Sequence, residues 1–479
     1  MNNKYIIGID GGSQSTKVTI FDLKGNIICE GKENLKPYDL PSPGIAEHPG
    51  DDLWESTIAA TKKTLSKFEG DKKDIIGVGI CSIRCCKVHL KEDGTLAQPV
   101  MSWMDKRAYA PYDGENSSVK YVVTTSGYMN HRFTGQKIDT SGNYVAGGWP
   151  FDFNKWNWSE KEEDFKNLNL KKEMLFELKE PGTIVGFTTN EIEEIMGIPA
   201  GLPVVQTSND KAVEALGVGA IKKDTLLVSL GTYITSMIHA EEKSNGGNYH
   251  WTNAGNMPLS YLYESSGIRR GMWTVSWLRN LLGKEVIENA KHLNISPEEY
   301  MNKEAEKVPA GSDGLMTVLD WLAPNDALYK RGMMIGFDGH MGAPHMYRSI
   351  LEAIAFTMKN HADNMIDELD IDVNNLIISG GGSNSDLFMQ IFADVFGKPT
   401  IRNVVNGAAA MGTAISIAVA LNVYSSYEEA VENMVKIKDV FQPNLENTKL
   451  YKELNENVYK QITKHTDNVL MKSFDVLHG

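Results

Sequence analysis

Two stretches of this chain combine glycine with hydroxyl side chains in the pattern of a phosphate-binding turn. In residues 5–21 and again in residues 225–238, an apolar strand leads into such a turn and then into a second strand. Glycine lets the backbone approach an anion closely, and Ser and Thr hydroxyls add hydrogen-bond donors. Two such hairpins that face each other would hold a triphosphate from both sides. The pair therefore indicates phosphoryl-transfer chemistry in a protein of two lobes.

The elements around these turns predict an α/β protein. A dinucleotide-binding unit would begin a helix after Gly12, whereas residues 17–21 alternate with period two and continue as a strand. Helical spacing of apolar residues is found over residues 51–68, 210–216, 271–282, 347–369, 386–396 and 408–421. We expect an N-terminal lobe over residues 1–244 and a C-terminal lobe over residues 245–479, with a hinge between them.

Composition and charge narrow the class of protein. The chain has 479 residues, enough for two to three domains, and a formal net charge of −14. An acidic protein gains little from binding phosphate-rich polymers, so nucleic acid is not an expected partner. The sequence contains no apolar run of the roughly 20 residues that span a bilayer, and a strand pattern begins near the N-terminus. We therefore expect no membrane partner and a cytoplasmic location.

Six ordered motifs give the chain a resemblance to the FGGY carbohydrate kinases, and together they extend over nearly its whole length. They occupy residues 8–16, 103–107, 209–219, 230–232, 331–336 and 379–383. The resemblance implies two ribonuclease-H-like lobes of the actin and hexokinase type with a nucleotide cleft between them. It also implies ATP-dependent phosphorylation of a hydroxyl on a small open-chain sugar, sugar acid or polyol.

The chain departs from the family pattern in three places. The stretch that follows Arg107 is shorter, and Gly407 stands where the family carries a glutamate ahead of a helix. The third departure is the segment Ser-Ile-Arg-Cys at residues 82–85, which replaces the Met-His-Gly typical of xylulose kinases. With Arg84 it looks more like arginine-bearing members such as glycerol kinases and the kinases of the dihydroxypentanedione quorum signal.

Asp210 is the candidate general base. It follows a predicted strand over residues 203–207 and opens the predicted helix over residues 210–216, which places it at the edge of a cleft. A carboxylate within reach of a sugar hydroxyl can accept its proton as the phosphoryl group arrives. An Asp at this position could instead serve only as a helix N-cap. The resemblance favours the catalytic role.

Asp10 is the candidate metal ligand, together with Asp210. Asp10 ends the first strand immediately before the glycine turn, where a carboxylate can hold Mg²⁺ beside bound phosphates. The alternative is an Asp that hydrogen-bonds its own backbone in the turn. ATP and Mg²⁺ are the expected cosubstrate and cofactor.

The candidate nucleotide-binding residues lie in or beside the two hairpin turns and a third glycine turn at residues 380–382, which follows a predicted strand. The ordinary alternatives are a solvated side chain for Lys17, a plain hairpin tip for Gly231 and Thr232, and a helix cap for Ser385. The predicted set consists of Gly12, Ser13, Ser15, Thr16, Lys17, Gly231, Thr232, Gly381, Gly382 and Ser385.

Arg84, Trp103 and Asp105 are the candidate substrate-binding residues, beside Asp210. Arg offers a rigid fork of donors, and Trp offers a flat apolar wall, although core packing is the commoner fate of a Trp. The expected partner is a small carbohydrate, and a homodimer is one assembly left open. Two other hypotheses stand beside the sugar kinase: an actin-like or chaperone-like ATPase, and a kinase-like protein without sugar kinase activity.

Overall fold

The structure is a computed structural model that describes residues 4–324, 327–405 and 407–478. Its strands are β1 (Tyr5–Gly11), β2 (Ser15–Asp22), β3 (Ile27–Asn34), β4 (Glu47–His48), β5 (Ile75–Ser82), β6 (Val88–Leu90), β7 (Val100–Met101), β8 (Tyr121–Val123), β9 (Ile138–Thr140), β10 (Phe151–Asp152), β11 (Asn157–Trp158), β12 (Glu177–Lys179), β13 (Thr183–Phe187), β14 (Pro203–Gln206), β15 (Thr225–Leu230), β16 (Ile234–Ala240), β17 (His250–Ala254), β18 (Tyr261–Ser265), β19 (Met316–Val318), β20 (Met333–Ile335), β21 (Asn375–Ser379), β22 (Thr400–Asn403) and β23 (Ile437–Phe441).

Its helices are α1 (Asp52–Leu65), α2 (Thr125–Thr134), α3 (Glu162–Asn167), α4 (Asn190–Met196), α5 (Asp210–Gly217), α6 (Gly271–Leu282), α7 (Lys284–His292), α8 (Pro297–Ala305), α9 (Ala343–Leu369), α10 (Asp386–Phe396), α11 (Ala408–Ala420), α12 (Tyr427–Met434), α13 (Leu445–Leu454) and α14 (Lys460–His478). Among the described residues, none of these helices is both long and apolar enough to cross a membrane.

The first large sheet has six strands in the order β13-β14-β5-β1-β2-β3. Strands β1 and β2 form an antiparallel hairpin, in which Asp10 is opposite Lys17 and Gly11 is opposite Thr16. Strand β5 runs parallel to β1 and also to β14. Its continuous apolar sequence fits this central position, because a strand covered on both faces has no polar side.

The second large sheet repeats this arrangement in seven strands, in the order β17-β18-β16-β15-β21-β22-β23. Strands β15 and β16 form an antiparallel hairpin, and β21 runs parallel to β15. The resemblance between the two glycine turns in the sequence is therefore matched by their strand pairing. The predicted division at residue 244 assigns this hairpin to the N-terminal lobe, whereas its hydrogen bonds place it in the second sheet.

Helices α5 and α11 connect the two sheets through shared hydrophobic clusters. Leu216 of α5 packs with Ile6 of the first sheet, and Ala212 packs with Leu227 of the second. The helices approach each other closely, because a Cβ on Gly217 would lie 1.8 Å from the Ala408 carbonyl oxygen. Small residues at this contact allow the carboxyl ends of β1, β5 and β15 to converge on one region.

Local signals explain where α10 begins and ends. The Ser385 hydroxyl accepts a hydrogen bond from the Phe388 N–H at 3.1 Å, which caps the first turn. Gly397 follows the last residue with φ of +62°, a left-handed conformation that ends helices at low cost for glycine. The predicted helix over residues 386–396 is confirmed with these bounds, as is the one over residues 271–282. Helix α9 begins at Ala343, earlier than predicted, with a proline in its first turn.

Candidate active site

A cavity of about 510 Å³ lies between the two sheets. Its lining includes residues from both glycine turns, from the loop after β5, from the start of α5 and from β17 and β18. Of the predicted site residues, nine line it: Asp10, Gly12, Ser13, Arg84, Trp103, Asp210, Gly231, Thr232 and Gly381.

The two glycine turns meet at this cavity. Gln14 Nε2 in the first turn donates to Thr232 Oγ1 in the second at 2.8 Å. The second turn is held from behind by the start of α6, where the Gly271 N–H donates to the Thr232 carbonyl at 2.9 Å. The opposed placement that the sequence predicted for the two turns is therefore present in the fold.

Five of the predicted nucleotide-binding residues do not line the cavity, and several have other partners. Thr16 is buried and its hydroxyl shares a hydrogen bond with Ser56 at 2.8 Å. Lys17 Nζ forms an ion pair with Glu30 at 2.7 Å, and Ser385 caps α10. The five residues are Ser15, Thr16, Lys17, Gly382 and Ser385.

Asp210 is the first residue of α5, and the preceding residue caps the helix. The side chain of Asn209 accepts a hydrogen bond from the Ala212 N–H at 3.2 Å. Capping is therefore the role of Asn209, which leaves the Asp210 carboxylate at the cavity with 29% of its side chain exposed. Burial raises the pKa of Asp210 above its ordinary value, while Arg84 and Lys211 oppose the shift.

Arg84 binds a carboxylate that the sequence did not reveal. Its Nη1 and Nη2 donate to the two oxygens of Glu264 at 2.8 Å each, and its Nε lies 3.7 Å from Asp210 Oδ1. The Glu264 side chain is fully buried, and that of Arg84 is 18% exposed. Trp251 lies opposite Glu264 on β17, with its ring centroid 5.3 Å from Arg84 Cζ. Arg84 comes from the first lobe and Glu264 from the second sheet, so this pair crosses the cleft.

A second buried pair lies on α5, and neither member was predicted from the sequence. Lys211 Nζ donates to Glu214 Oε2 at 3.0 Å and to Ser229 Oγ at 2.6 Å. The other oxygen of Glu214 accepts from the hydroxyl of Ser379. Burial favours a raised pKa for Glu214, but Lys211 and these two hydroxyls outweigh it and lower the pKa. Since Ser229 and Ser379 lie just ahead of two glycine turns, the pair stabilises both turns of the second sheet.

Asp10 lies at the carboxylate-rich side of the cavity. Burial, followed by the negative charges of Asp210 and Glu214, raises the pKa of Asp10 to about 7. A divalent cation would relieve this repulsion. The described residues contain no cluster of three or more His, Cys, Asp or Glu placed to hold a metal. The carboxylates of Asp10 and Asp210 fit Mg²⁺, which commonly takes one or two carboxylates and completes its shell with water and phosphate oxygens.

Sequence comparison agrees with this geometry. The FGGY family of carbohydrate kinases, N-terminal domain, matches residues 5–113 and 111–217, and its C-terminal domain matches residues 226–421. The chain is 50% identical over 479 residues to an uncharacterized sugar kinase of Escherichia coli K12, YgcE, covering 100% of this chain and 97% of the relative. This protein belongs to the FGGY family of carbohydrate kinases.

More distant relatives and solved structures support the same fold. A ribulokinase of Anoxybacillus flavithermus is 26% identical over 547 residues, covering 98% of this chain and 95% of the relative. The crystal structure of a gluconate kinase from Lactobacillus acidophilus superimposes with a TM-score of 0.82 at 19% identity, covering 98% of this chain and 100% of that structure. The fold is the two-lobed actin and hexokinase type, and FGGY kinases transfer a phosphoryl group from ATP to a hydroxyl.

In this FGGY kinase Trp103 and Asp105, which were both predicted to bind the substrate, lie in different surroundings. Trp103 lines the cavity with Tyr109, whose hydroxyl donates to the Trp103 carbonyl at 3.1 Å. Asp105 is fully buried and does not line the cavity. Its carboxylate accepts from the Ala46 N–H at 2.9 Å and from the Arg107 side chain. The structure therefore gives Asp105 a supporting position and brings Tyr109, which the sequence did not suggest, to the site.

The departure of this FGGY kinase at Gly407 also lies at the cavity. A Cβ at Gly407 would be 3.0 Å from Lys17 Nζ, so a larger residue would meet the lysine. Glu214 lines the same cavity from α5. The chain thus lacks a carboxylate at the start of α11 but carries one on the neighbouring helix.

Proposed function

We propose that this FGGY kinase phosphorylates a hydroxyl of a small open-chain sugar, sugar acid or polyol, and that Asp210 is the general base. The observation that carries the proposal is the position of Asp210 in the cavity that both glycine turns border. A carboxylate there is free of a capping role, because Asn209 caps the helix. It is therefore available to a substrate hydroxyl.

The nucleotide is proposed to bind between the turns, with its phosphates near Gly12, Gly231 and Thr232. Mg²⁺ held by Asp10, with Asp210 nearby, would neutralise phosphate charge. The acceptor hydroxyl would lie within hydrogen-bond distance of Asp210, which takes its proton as the oxygen attacks the terminal phosphorus. The raised pKa of Asp210 supports this role, because a base is most effective when its pKa approaches the working pH.

Arg84 supports the base in this scheme. Its Nε lies 3.7 Å from Asp210 Oδ1, close enough to hold the carboxylate ionised before the acceptor binds. Glu264 fixes the guanidinium from the opposite side through two hydrogen bonds. Trp103 and Trp251 add flat apolar surfaces suited to the carbon chain of an acceptor.

The experiment measures ADP release from MgATP with a panel of ketoses, polyols and aldonates, using the wild-type protein and Asp210→Asn. We expect acceptor-dependent turnover in the wild type and a fall in kcat of about 10²- to 10⁴-fold in the variant, with ADP affinity retained. Asp475→Asn, at an exposed position on α14, is the matched control. Full acceptor-dependent turnover by Asp210→Asn would refute the assigned base. ATP turnover that no acceptor stimulates, together with filament or peptide binding, would favour the actin-like or chaperone-like ATPase.

A further inference from the structure

We propose that the acceptor is an uncharged polyol or sugar and that Glu264 excludes sugar acids by neutralising Arg84. This inference rests on the proposed function and narrows its substrate class. Arg84 is the side chain that an acidic acceptor would be expected to use, since arginine binds carboxylates in a bidentate manner. In this protein that bidentate position is already taken.

Arg84 and Glu264 have the geometry of a permanent ion pair. Both terminal nitrogens of Arg84 donate to the two Glu264 oxygens at 2.8 Å. Glu264 has no exposed side-chain surface, and Asn253 Nδ2 lies 3.4 Å from the same Glu264 oxygen that Arg84 Nη1 binds. A buried carboxylate that lost its arginine would remain as an unpaired charge, which is costly. An incoming carboxylate must therefore compete with Glu264 for Arg84 at the expense of that charge.

The other charged residues that line the described cavity cannot replace Arg84 as a partner for an acidic acceptor. The cavity lining described by the structure carries four carboxylates and two cations, the cations being Arg84 and Lys211. Lys211 is bound to Glu214 at 3.0 Å and to Ser229 at 2.6 Å. Both cations in this part of the chain are thus paired, and the carboxylates outnumber them. A negatively charged acceptor would meet like charge, which disfavours its binding.

An uncharged acceptor suits the N–H groups of Arg84 that Glu264 does not occupy. A guanidinium has more N–H groups than a single carboxylate can occupy, so Arg84 can still donate to a neutral hydroxyl or carbonyl oxygen. The Nε of Arg84 lies on the Asp210 side, where the reacting hydroxyl is proposed to bind. Trp103 and Trp251 would contact the carbon chain. Glu264 is accordingly a specificity-determining residue that acts through Arg84.

The test compares uncharged and acidic acceptors of the same carbon skeleton: xylitol with xylonate, ribitol with ribonate, and glucitol with gluconate, beside the ketoses xylulose and ribulose. ADP release with the wild-type protein should show kcat/KM values at least about tenfold lower for each aldonate than for its active uncharged partner. Phosphorylation of an aldonate in preference to the uncharged acceptors would overturn the inference and leave the proposed function standing. No turnover with any acceptor would overturn the proposed function and this inference with it.

Two variants test the role of Glu264 itself. Glu264→Gln frees the charge of Arg84, so the ratio of aldonate to polyol kcat/KM should rise by about tenfold or more. Glu264→Asp keeps a carboxylate and should keep the wild-type ratio. A merely structural role would lower both activities and leave the ratio unchanged, and that result would refute the assignment. Where Glu264→Gln fails to fold, the wild-type comparison still decides the substrate class, and Glu264→Met, an uncharged replacement of similar length, takes the place of Glu264→Gln in the ratio.

Discussion

Gln14 Nε2 donates to Thr232 Oγ1 at 2.8 Å, and this bond joins the glycine turn of one sheet to that of the other. The two residues belong to hairpins that are far apart in the sequence. Residues of both turns also line the same cavity of about 510 Å³. In the proposed binding mode, both turns would contact the same nucleotide.

The hydroxyl of Thr232 is expected to contribute to nucleotide binding. Thr232→Val keeps the shape of the side chain and removes the hydroxyl, so the KM for ATP should rise by about two- to tenfold, as expected for the loss of one hydrogen bond. Steady-state ADP release at varied ATP concentration measures this effect. Gln14→Ala is the control, because it removes the protein partner of the hydroxyl and leaves the hydroxyl itself. An equal rise in KM for both variants would show that the bond between the turns, and not a phosphate contact, is responsible.

Two adjacent glycines should respond differently to alanine. Gly380 has a φ of +87°, and a Cβ there would lie 2.5 Å from the Leu230 carbonyl oxygen. Gly380→Ala should therefore destabilise the protein by about 1–3 kcal/mol. Gly381 lines the cavity with no atom within 4 Å of an added Cβ, so Gly381→Ala should keep the stability and raise the KM for ATP. Thermal unfolding and ATP kinetics of both variants give the comparison, and similar melting temperatures for the two would contradict it.

Asp10 is expected to lower the stability of the ligand-free protein. Its pKa is raised from the ordinary 3.8 to about 7, so between these values the folded protein holds a proton that the unfolded chain has released. The free energy of unfolding therefore falls as the pH rises through this range. Asp10→Asn should be more stable than the wild type at pH 8, by about 1–2 kcal/mol after screening by solvent at the cavity.

Thermal unfolding without Mg²⁺ at pH 4 and pH 8 checks this prediction. The gain from Asp10→Asn should be larger at pH 8, where the wild-type carboxylate is ionised, than at pH 4. The same variant should lose the effect of Mg²⁺ on ADP affinity, if Asp10 is the metal ligand. A stability gain that does not depend on pH would exclude the electrostatic cause.

The Lys211–Glu214 pair should behave as a coupled unit. The two side chains are each 13% exposed, and their charged atoms lie 3.0 Å apart. Lys211→Met leaves Glu214 buried without its cation, and a loss of about 3–5 kcal/mol is expected. The double variant Lys211→Met, Glu214→Gln should be less destabilised than the sum of the single variants. A double-mutant cycle by chemical denaturation measures the coupling, and strict additivity would disprove it.

Short-range patterns of the sequence located most elements that build the site. Helix α10 has its predicted bounds because Ser385 and Gly397 supply its cap and its stop within a few residues. The two glycine turns were equally visible, since Gly and hydroxyl residues between apolar strands have a local meaning. Such signals act between near neighbours, so one sequence suffices to read them.

Side-chain partners were less predictable. Asp105 and Trp103 are two residues apart, yet Trp103 lines the cavity and Asp105 is buried against Arg107. Lys17 has the charge that phosphate needs, but it pairs with Glu30 on the neighbouring strand. Residue type and position in the chain were therefore insufficient, because either residue could bind a ligand or a protein group.

The sequence by itself determined the α/β class, the paired glycine turns and the carboxylates at the end of β1 and at the start of α5, because each depends on local propensity and turn chemistry. Only the tertiary structure decided that Glu264 holds Arg84 and that Ser229 and Ser379 of the second sheet bind the Lys211–Glu214 pair of α5. Those contacts depend on how closely α5 and α11 bring the two sheets together. The close packing of small residues sets that distance, and with it the charges that an acceptor would meet.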